Sequence, residues 1–129
     1  MKLEGKVALV TAAGRGIGKG IALALAREGA RLVVNSFAAD TTAATVAEIA
    51  AQGVDVVSLV GDITDPNKIL EMRNLALDSF GQIDILVNNA GFAIDGLLMR
   101  MKIQDWQSVL DVNLTANMVL CKTAMRSMM

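Results

Sequence analysis

Three glycines at two-residue spacing, Gly14, Gly16 and Gly18, are the residues of this chain whose pattern points most directly to chemistry. They follow a short apolar run, Val7–Val10, and precede a segment whose apolar residues recur at helical spacing. At such a turn the first N–H groups of the helix have no internal partner and face outward with the positive end of the helix dipole. Because glycine has no Cβ, an anion can approach that backbone closely. The stretch therefore predicts a phosphate-binding turn.

Alternating strands and helices surround this turn. Apolar and β-branched runs predict strands at residues 6–11, 31–35, 54–60 and 83–87. Helical patterns predict helices at residues 16–28, 42–51 and 66–80, and a last helix that begins near residue 103 or 104. Ile17, Ile21 and Leu25 are expected to form the buried face of the first helix. Asp65 and Pro66 predict a sharp start for the third helix.

The alternation predicts a parallel sheet with helices on both faces. Right-handed crossovers then give a doubly wound sheet with strand order 3-2-1-4. We therefore predict one Rossmann-like α/β domain over residues 1–129. Ligands of such folds bind where the strand order reverses, at the carboxyl ends of strands 1 and 4. Residues 11–18 and 88–91 follow those two strands, so they are expected to form one site.

Composition argues against several classes of function. A net charge of −1 without a basic run gives no indication of nucleic-acid binding. No apolar run approaches the ~18 residues of a membrane span, and Glu4 and Lys6 leave too short an apolar core for a signal peptide. The single cysteine, Cys121, suits a reducing, cytoplasmic compartment and is expected to pack as a small hydrophobe. Without histidine or tyrosine, acid–base chemistry would need Asp, Glu, Lys or Cys, and no metal site is predicted.

The order of these motifs resembles that of the short-chain dehydrogenase/reductase family. The family's T-G-x-x-x-G-I-G turn is similar to residues 11–18, and Asp62, the Asn-Asn-Ala-Gly run at 88–91 and Asn113 follow in the family's order. Ala12 stands in place of the first glycine, and we expect it to keep a negative φ. Similarity to the 3-oxoacyl-acyl-carrier-protein reductases, one branch of this family, lies in residues 96–102, 105–106 and 111–115.

The resemblance implies a nicotinamide dinucleotide site. In the family, the acid at Asp62 bonds the adenine amino group, Ile63 lies against the ring, and the loop with Asn88 lines the nicotinamide ribose. Asn113 is implied as a catalytic residue that bends its helix and holds a water of the proton relay. The positions implied at the cofactor are Thr11, Ala12, Gly14, Arg15, Gly16, Ile17, Gly18, Asn35, Ser36, Asp62, Ile63, Asn88, Ala90 and Gly91.

The end of the second strand bears on which cofactor is bound. NAD-specific proteins usually carry an acid there, which binds the ribose hydroxyls and would repel a 2′-phosphate. Here Asn35 and Ser36 occupy that place, and Arg15 adds a guanidinium suited to phosphate. The resemblance therefore implies NADP(H) as the preferred cofactor, with NAD(H) as the alternative.

The family's reaction transfers a hydride to a carbonyl, with a serine, a tyrosine and a lysine supplied after a fifth strand. This sequence has no tyrosine and reaches Met129 in the helix before that strand, so we expect the cofactor-binding half of such an enzyme, truncated before strand 5. The parent protein would reduce a 3-oxoacyl thioester to a hydroxyl, and this chain alone is predicted to be inactive. The alternative is a non-catalytic dinucleotide-binding or interaction module.

Two apolar surfaces predict self-association. The far edge of the fourth strand has no predicted neighbour, and the last helix has almost no polar face. In the family that helix lies between subunits, which implies a homo-oligomer through the C-terminal helix, with Val119 and Leu120 expected at the contact. Its apolar residues are Val109, Leu110, Val112, Leu114, Met118, Val119, Leu120, Cys121, Met125, Met128 and Met129.

Overall fold

The chain forms a parallel four-stranded sheet in a computed structural model that describes residues 1–129. The strands are β1 (Val7–Val10), β2 (Arg31–Ser36), β3 (Val56–Val60) and β4 (Ile85–Val87). The helices are α1 (Gly16–Arg27), α2 (Ala39–Ala50), α3 (Pro66–Phe80), α4 (Ile103–Leu110) and α5 (Ala116–Met128). The sheet order β3-β2-β1-β4 confirms the predicted fold class and strand order.

β1 is an inner strand whose side chains alternate between two cores. All of its residues are 2% exposed or less. Val7 and Leu9 belong to a cluster that includes residues of α3 and α5, whereas Ala8 and Val10 belong to a cluster with α1 and α2. Helices therefore cover both faces of the sheet, which explains why this run lacks polar alternation.

α1 packs on the sheet through its small residues. Gly18, Ala22 and Ala26 are the buried residues of this helix, whereas Ile17 is 77% exposed. The predicted buried face is therefore wrong at Ile17, whereas Leu25, on the same predicted face, is partly buried and packs against the core. Close approach of the helix to the sheet admits only small side chains at the contact, and this tertiary requirement overrides the pattern of large apolar residues.

Several element boundaries differ from the prediction, including the start of β3 at Val56, and at two of them side chains take part in hydrogen bonds at the element end. β4 begins at Ile85 because the Asp84 side chain accepts a hydrogen bond from the Val7 N–H at 2.8 Å, ahead of the regular ladder. α2 begins three residues earlier than predicted, where both the N–H and the hydroxyl of Thr42 donate to the Ala38 carbonyl. In both places a side chain decides where the regular element starts.

α3 begins and ends as predicted. Asp65 is its N-cap, and the carboxylate Oδ1 accepts a hydrogen bond from the Asn67 N–H at 2.9 Å. Pro66 occupies the first helical position, where a missing N–H costs nothing. Gly81, at φ +78°, closes the helix in the left-handed conformation that glycine adopts without steric cost.

The predicted last helix begins where expected but is interrupted. A π-helical turn, Asp111–Thr115, separates α4 from α5, and a 3-10 turn, Leu98–Arg100, precedes α4. Asn113 lies at the centre of the π turn. A π turn inserts one residue into the helical register, so the faces of α4 and α5 are offset from those of one continuous helix.

α5 has a buried face and an exposed face. Ala116, Leu120 and Ala124 are its buried residues, so the expectation that Leu120 faces a partner is wrong. Val119 packs against the same core but is only partly buried. Cys121, expected to be packed, is exposed. The π turn and the exposed face of α5 together carry an apolar stripe at 4-3-4-3 spacing, called the outer stripe below: Leu114, Met118, Cys121, Met125 and Met128.

Gly18 and Gly20 offer a matched test of the close approach of α1. A Cβ at Gly18 would overlap the Ala12 carbonyl oxygen and the Asn89 side-chain amide, whereas a Cβ at Gly20 would meet nothing within 4 Å. We expect Gly18→Ala to lower the free energy of unfolding by about 1–3 kcal/mol through overpacking. Gly20→Ala should raise it by about 0.5–1 kcal/mol through helix propensity. Urea unfolding measures both changes in stability. Shifts of the urea midpoint with the same sign in both variants would contradict the close approach of α1 at Gly18.

Candidate functional site

A groove of about 780 Å³ opens at the carboxyl ends of the strands. Its volume lies within the roughly 300–1,000 Å³ typical of small-ligand sites. The segments that follow all four strands contribute to it, as expected at the point where the strand order reverses. It is lined by Ala12, Gly14, Arg15, Gly16, Ser36, Phe37, Ala38, Thr41, Asp62, Thr64, Asn89, Ala90, Gly91, Phe92, Ser108, Asp111 and Val112.

The glycine turn brings the N terminus of α1 to this groove. Arg15 is the N-cap, with an extended backbone, and no side chain caps the helix. The first N–H groups of α1 and the positive end of its dipole are therefore available to an anion. The turn residues that line the groove are Ala12, Gly14, Arg15 and Gly16, whereas Ile17 and Gly18 lie outside it.

Ala12 adopts φ +51° and is the one non-glycine residue with a positive φ. The expectation of a negative φ is therefore wrong, and the turn keeps a left-handed geometry that costs an alanine about 1–2 kcal/mol. The surroundings fix this conformation. The Ala12 carbonyl accepts a hydrogen bond from Asn89 Nδ2 at 3.2 Å and abuts Gly18, where a Cβ would overlap it.

Thr11 joins the glycine turn to the loop after β4. It is fully buried, and its Oγ1 accepts hydrogen bonds from the N–H groups of Asn89 and Ala90, each at 3.0 Å. The same hydroxyl donates to the Val87 carbonyl at 3.4 Å. The donor and both acceptor positions of the hydroxyl are thus used. Thr11 was predicted to contact a cofactor, but here it positions the two loops that line the groove.

The two asparagines after β4 have different positions. Asn88 is exposed and lies outside the groove, and its Nδ2 donates to Cys121 Sγ at 3.3 Å. The Asn88 side chain therefore points away from the groove, and the predicted contact of this loop with a nicotinamide ribose stays a prediction. Asn89, which the sequence did not single out, lines the groove and holds the Ala12 carbonyl. Neighbouring residues of an extended segment point to opposite sides, so only one of the pair can face the groove.

Of the two residues predicted to discriminate the cofactor at the end of β2, only Ser36 lines the groove. Asn35 is 3% exposed, and its Nδ2 donates to the carbonyls of Leu59 and Gly61 at 3.1 and 3.2 Å. Its side chain therefore holds the end of β3 and does not line the groove, and the predicted role of Asn35 at the cofactor stays a prediction. Ser36 Oγ lies 3.5 Å from Thr41 Oγ1 at the groove wall.

The segment after β3 places one of its two predicted residues in the groove. Asp62 lines it with an exposed carboxylate, whose Oδ1 also accepts a hydrogen bond from the Thr64 N–H at 2.8 Å. Ile63 is 2% exposed and belongs to the core cluster with α3 and α5. The Ile63 side chain is therefore part of the core and does not line the groove, and the predicted position of Ile63 against an adenine ring stays a prediction.

Asn113 ties the π turn to the loop after β4. Its Oδ1 accepts a hydrogen bond from the Phe92 N–H at 2.9 Å, and its Nδ2 donates to the Phe92 carbonyl at 2.8 Å. Asn117 Nδ2 in turn donates to the Asn113 carbonyl at 2.8 Å. A Cβ at Gly91 would lie 3.0 Å from Asn113 Oδ1, so this loop passes close to the helix. The asparagine thus sits where the helix deviates and fixes the loop that closes one end of the groove.

Several groove residues were not found from the sequence. Phe37, Ala38 and Thr64 lie one or two residues beyond predicted positions, so extending each strand end slightly would have found them. Ser108 lies on α4 and Asp111 begins the π turn. Asp111 falls within residues 111–115, which carry the family resemblance, but neither residue was predicted to line the groove.

The groove contains few ionisable side chains. They are one cation, Arg15, and two carboxylates, Asp62 and Asp111. No group of three or more His, Cys, Asp or Glu side chains is placed to hold a metal ion. The helices also include none with the length and apolarity needed to cross a membrane. The arrangement is suited to binding a phosphate-containing ligand with backbone N–H groups, one guanidinium and polar side chains.

The chain is similar in sequence to known proteins. The family described as short chain dehydrogenase matches residues 6–129. A 3-oxoacyl-[acyl-carrier-protein] reductase of Synechocystis is 46% identical over 128 residues, which cover 98% of this chain and 51% of that protein. The reductase of the same name from Escherichia coli is 41% identical over 129 residues, covering 100% of this chain and 52% of that protein. The chain therefore spans about half the length of these relatives.

Solved structures agree with the sequences. A short-chain dehydrogenase/reductase of Serratia marcescens superposes with a TM-score of 0.96 at 34% identity, over 99% of this chain and 53% of that protein. An NAD⁺-bound xylitol dehydrogenase superposes with a TM-score of 0.94 at 32% identity, over 99% of this chain and 50% of that protein. Since the family match covers nearly the whole chain and the fold is shared, this chain belongs to the short-chain dehydrogenase/reductase family.

Proposed function

We propose that this chain is the NADP(H)-binding part of an oxidoreductase that reduces the carbonyl of a 3-oxoacyl thioester to a hydroxyl. The observation that carries the proposal is the convergence of an uncapped helix N terminus, a glycine turn and a clamped Asn-Ala-Gly loop on one groove. The names of the relatives support the substrate class. Because the chain spans about half of their length, the reaction and the substrate are proposed for the whole protein.

The groove fits a dinucleotide. The turn around Gly16, where an added Cβ would meet nothing within 4 Å, leaves room for a pyrophosphate at the N terminus of α1. Ser36 and Asp62 lie at the end of the groove formed by β2 and β3, where the adenosine would be held. Ala90 and Gly91 lie after β4, where the nicotinamide ribose would be held. When bound, the reduced cofactor supplies the hydride.

In this mechanism the chain's own residues bind and orient. Thr11 keeps the glycine turn and the loop after β4 at a fixed separation, and Asn113 fixes that loop at Phe92. The groove holds no histidine, tyrosine, lysine or cysteine, and its only carboxyl groups are those of Asp62 and Asp111. We propose that the proton for a developing alkoxide comes from residues outside this groove, as it does in the family.

The preference for NADP(H) rests on the charge at the adenosine end. Arg15 is exposed and lines the groove together with the hydroxyls of Ser36 and Thr41. None of the groove residues that follow β2 is acidic, so no carboxylate at that position would repel a 2′-phosphate. A guanidinium offers several N–H donors to a phosphate and keeps its charge.

Arg15→Ala tests this preference. We expect the variant to bind NADPH roughly tenfold more weakly, since charge-assisted hydrogen bonds to the 2′-phosphate are lost, and to bind NADH almost unchanged. Arg27→Ala is the control, because it removes an equal charge from the last turn of α1. Calorimetric titration measures all affinities. Equal losses of affinity for NADPH and NADH would show that Arg15 does not bind the 2′-phosphate.

A second function, a dinucleotide-binding module without catalysis, is favoured by one observation. The sequence contains no tyrosine and no histidine, two residue types that commonly act as general acids in catalysis. Both functions predict the same binding. They differ in whether the protein that contains this chain turns over a carbonyl substrate.

We expect no reduction of a 3-oxoacyl thioester by this 129-residue chain alone, because positioned proton transfer typically contributes ~10² to 10⁴-fold and its donor is missing. Loss of NADPH absorbance with time measures turnover. Calorimetry on the same sample checks that cofactor is bound, and the Escherichia coli relative serves as the active control. Saturable turnover by the chain would show that a donor exists within it.

Self-association through the C-terminal helix is proposed on two exposed surfaces. The outer stripe places apolar side chains at the spacing of helix–helix seams, with Met118 56% and Met125 55% exposed. β4 pairs only with β1, so its other edge presents unpaired backbone groups. Contact with a second copy would cover the stripe, which is too apolar to be a typical solvated face.

Light scattering over a dilution series tests the association. We expect species heavier than the 13.6 kDa monomer at tens of micromolar, and we expect Met118→Asp with Met125→Asp to shift them toward the monomer. Leu70→Asp, at a residue 41% exposed on α3, is the matched control. A monomer at all concentrations would contradict the proposal, and an oligomer insensitive to the paired substitution would move the contact to the β4 edge.

A further inference from the structure

One dipeptide of the chain, Asp95-Gly96, places a glycine directly after an acid. No other aspartate precedes a glycine, and neither does any asparagine. The dipeptide lies within residues 91–97, which belong to no helix or strand. Both of its residues are exposed. The main chain around the Asp95 carboxyl group is therefore not constrained by a regular element, and water reaches it.

Neither of the two groups that could react within this dipeptide is held by the rest of the protein. The Asp95 carboxylate takes part in neither of the two ion pairs of the chain and accepts no hydrogen bond. The Gly96 N–H donates to no acceptor. A Cβ at Gly96 would meet nothing within 4 Å, so the space beside this nitrogen is open. Because glycine has no Cβ of its own, its main chain rotates with little steric restriction.

The other aspartates lack this combination of features. Carboxylates that accept hydrogen bonds from the protein belong to Asp40, Asp62, Asp65, Asp84 and Asp111. Asp78 and Asp105 lie inside α3 and α4, where helical hydrogen bonds hold the main chain. Asp55 precedes Val56, whose branched side chain crowds its nitrogen. The unheld carboxylate with an unhindered neighbouring nitrogen is therefore found at Asp95 alone.

We propose that Asp95 is a site of spontaneous isomerisation to isoaspartate. The main-chain nitrogen of Gly96 attacks Cγ of the Asp95 carboxyl group, and a C–N bond forms. The carboxyl hydroxyl leaves with the proton of that nitrogen as water, which yields a five-membered succinimide. Addition of water at Cγ restores aspartate, whereas addition at the main-chain carbonyl carbon of Asp95 yields isoaspartate. The sequence is a rearrangement without a change in mass or oxidation state.

Isoaspartate carries the main chain through Cβ and Cγ, so it adds one methylene between two fixed points. Upstream, Asn113 holds both the N–H and the carbonyl of Phe92. Downstream, the Arg100 N–H donates to the Leu97 carbonyl at 3.0 Å. Asp95 and Arg100 also line a second cavity of about 340 Å³, which shares no residue with the groove. The modification therefore alters this cavity, and it goes beyond the proposed dinucleotide function.

The test is to incubate the purified chain for weeks at physiological temperature and then to map its peptides by mass spectrometry. We expect the peptide that contains Asp95 to give a second species of unchanged mass, which a methyltransferase specific for isoaspartate labels. Gly96→Ala should slow its formation several-fold, because a Cβ restricts the main chain and hinders the nitrogen. Gly20→Ala is the matched control, since an added Cβ meets nothing at either glycine, and it should leave the rate unchanged.

The outcomes separate this inference from the proposed function. The absence of isoaspartate at Asp95, equal conversion at Asp55, or an unchanged rate in Gly96→Ala would each overturn the inference. Calorimetric titration with NADPH should give the same affinity before and after incubation, because the modified residue lies outside the groove. A fresh chain that does not bind NADPH would overturn the dinucleotide function and leave the isomerisation intact.

Discussion

A buried hydroxyl, Thr11 Oγ1, is the group on which the geometry of the groove depends. It accepts from two consecutive N–H groups of the loop after β4 and donates to the carbonyl at the end of that strand. A part-buried N–H without a partner costs roughly 1–3 kcal/mol, so these bonds fix the loop firmly. Because Thr11 directly follows β1, its hydroxyl ties the glycine turn and the second loop to the centre of the sheet.

The contacts around Thr11 also explain the positive φ of Ala12. Ala12 follows Thr11 directly, its carbonyl is held by Asn89, and α1 approaches it through Gly18. Each contact requires the carbonyl in one orientation, and together they hold a positive φ that alanine alone would avoid. The strain is local, and it preserves the shape that opens the N terminus of α1 to the groove.

The groove divides into regions with different chemistry. The turn supplies backbone N–H groups and Arg15, the ends of β2 and β3 supply Phe37 and a carboxylate, and the loop after β4 supplies small residues held by Asn113. This division is the basis of the proposal that the groove binds a dinucleotide.

The sequence by itself determined the element order, the strand order and the region of the site, because these follow from local patterns. The cap at Asp65, the buried run of β1 and the spacing of the glycines are each set by neighbours in the chain. Which side chain of a motif faces the groove was decided only by the tertiary structure. Asn35 and Ile63 were taken up by the strand ends and the core, and groove positions fell to Asn89 and Phe37. Residue types near a strand end show what chemistry is available, but packing against helices distant in sequence decides which side chains remain open to a ligand.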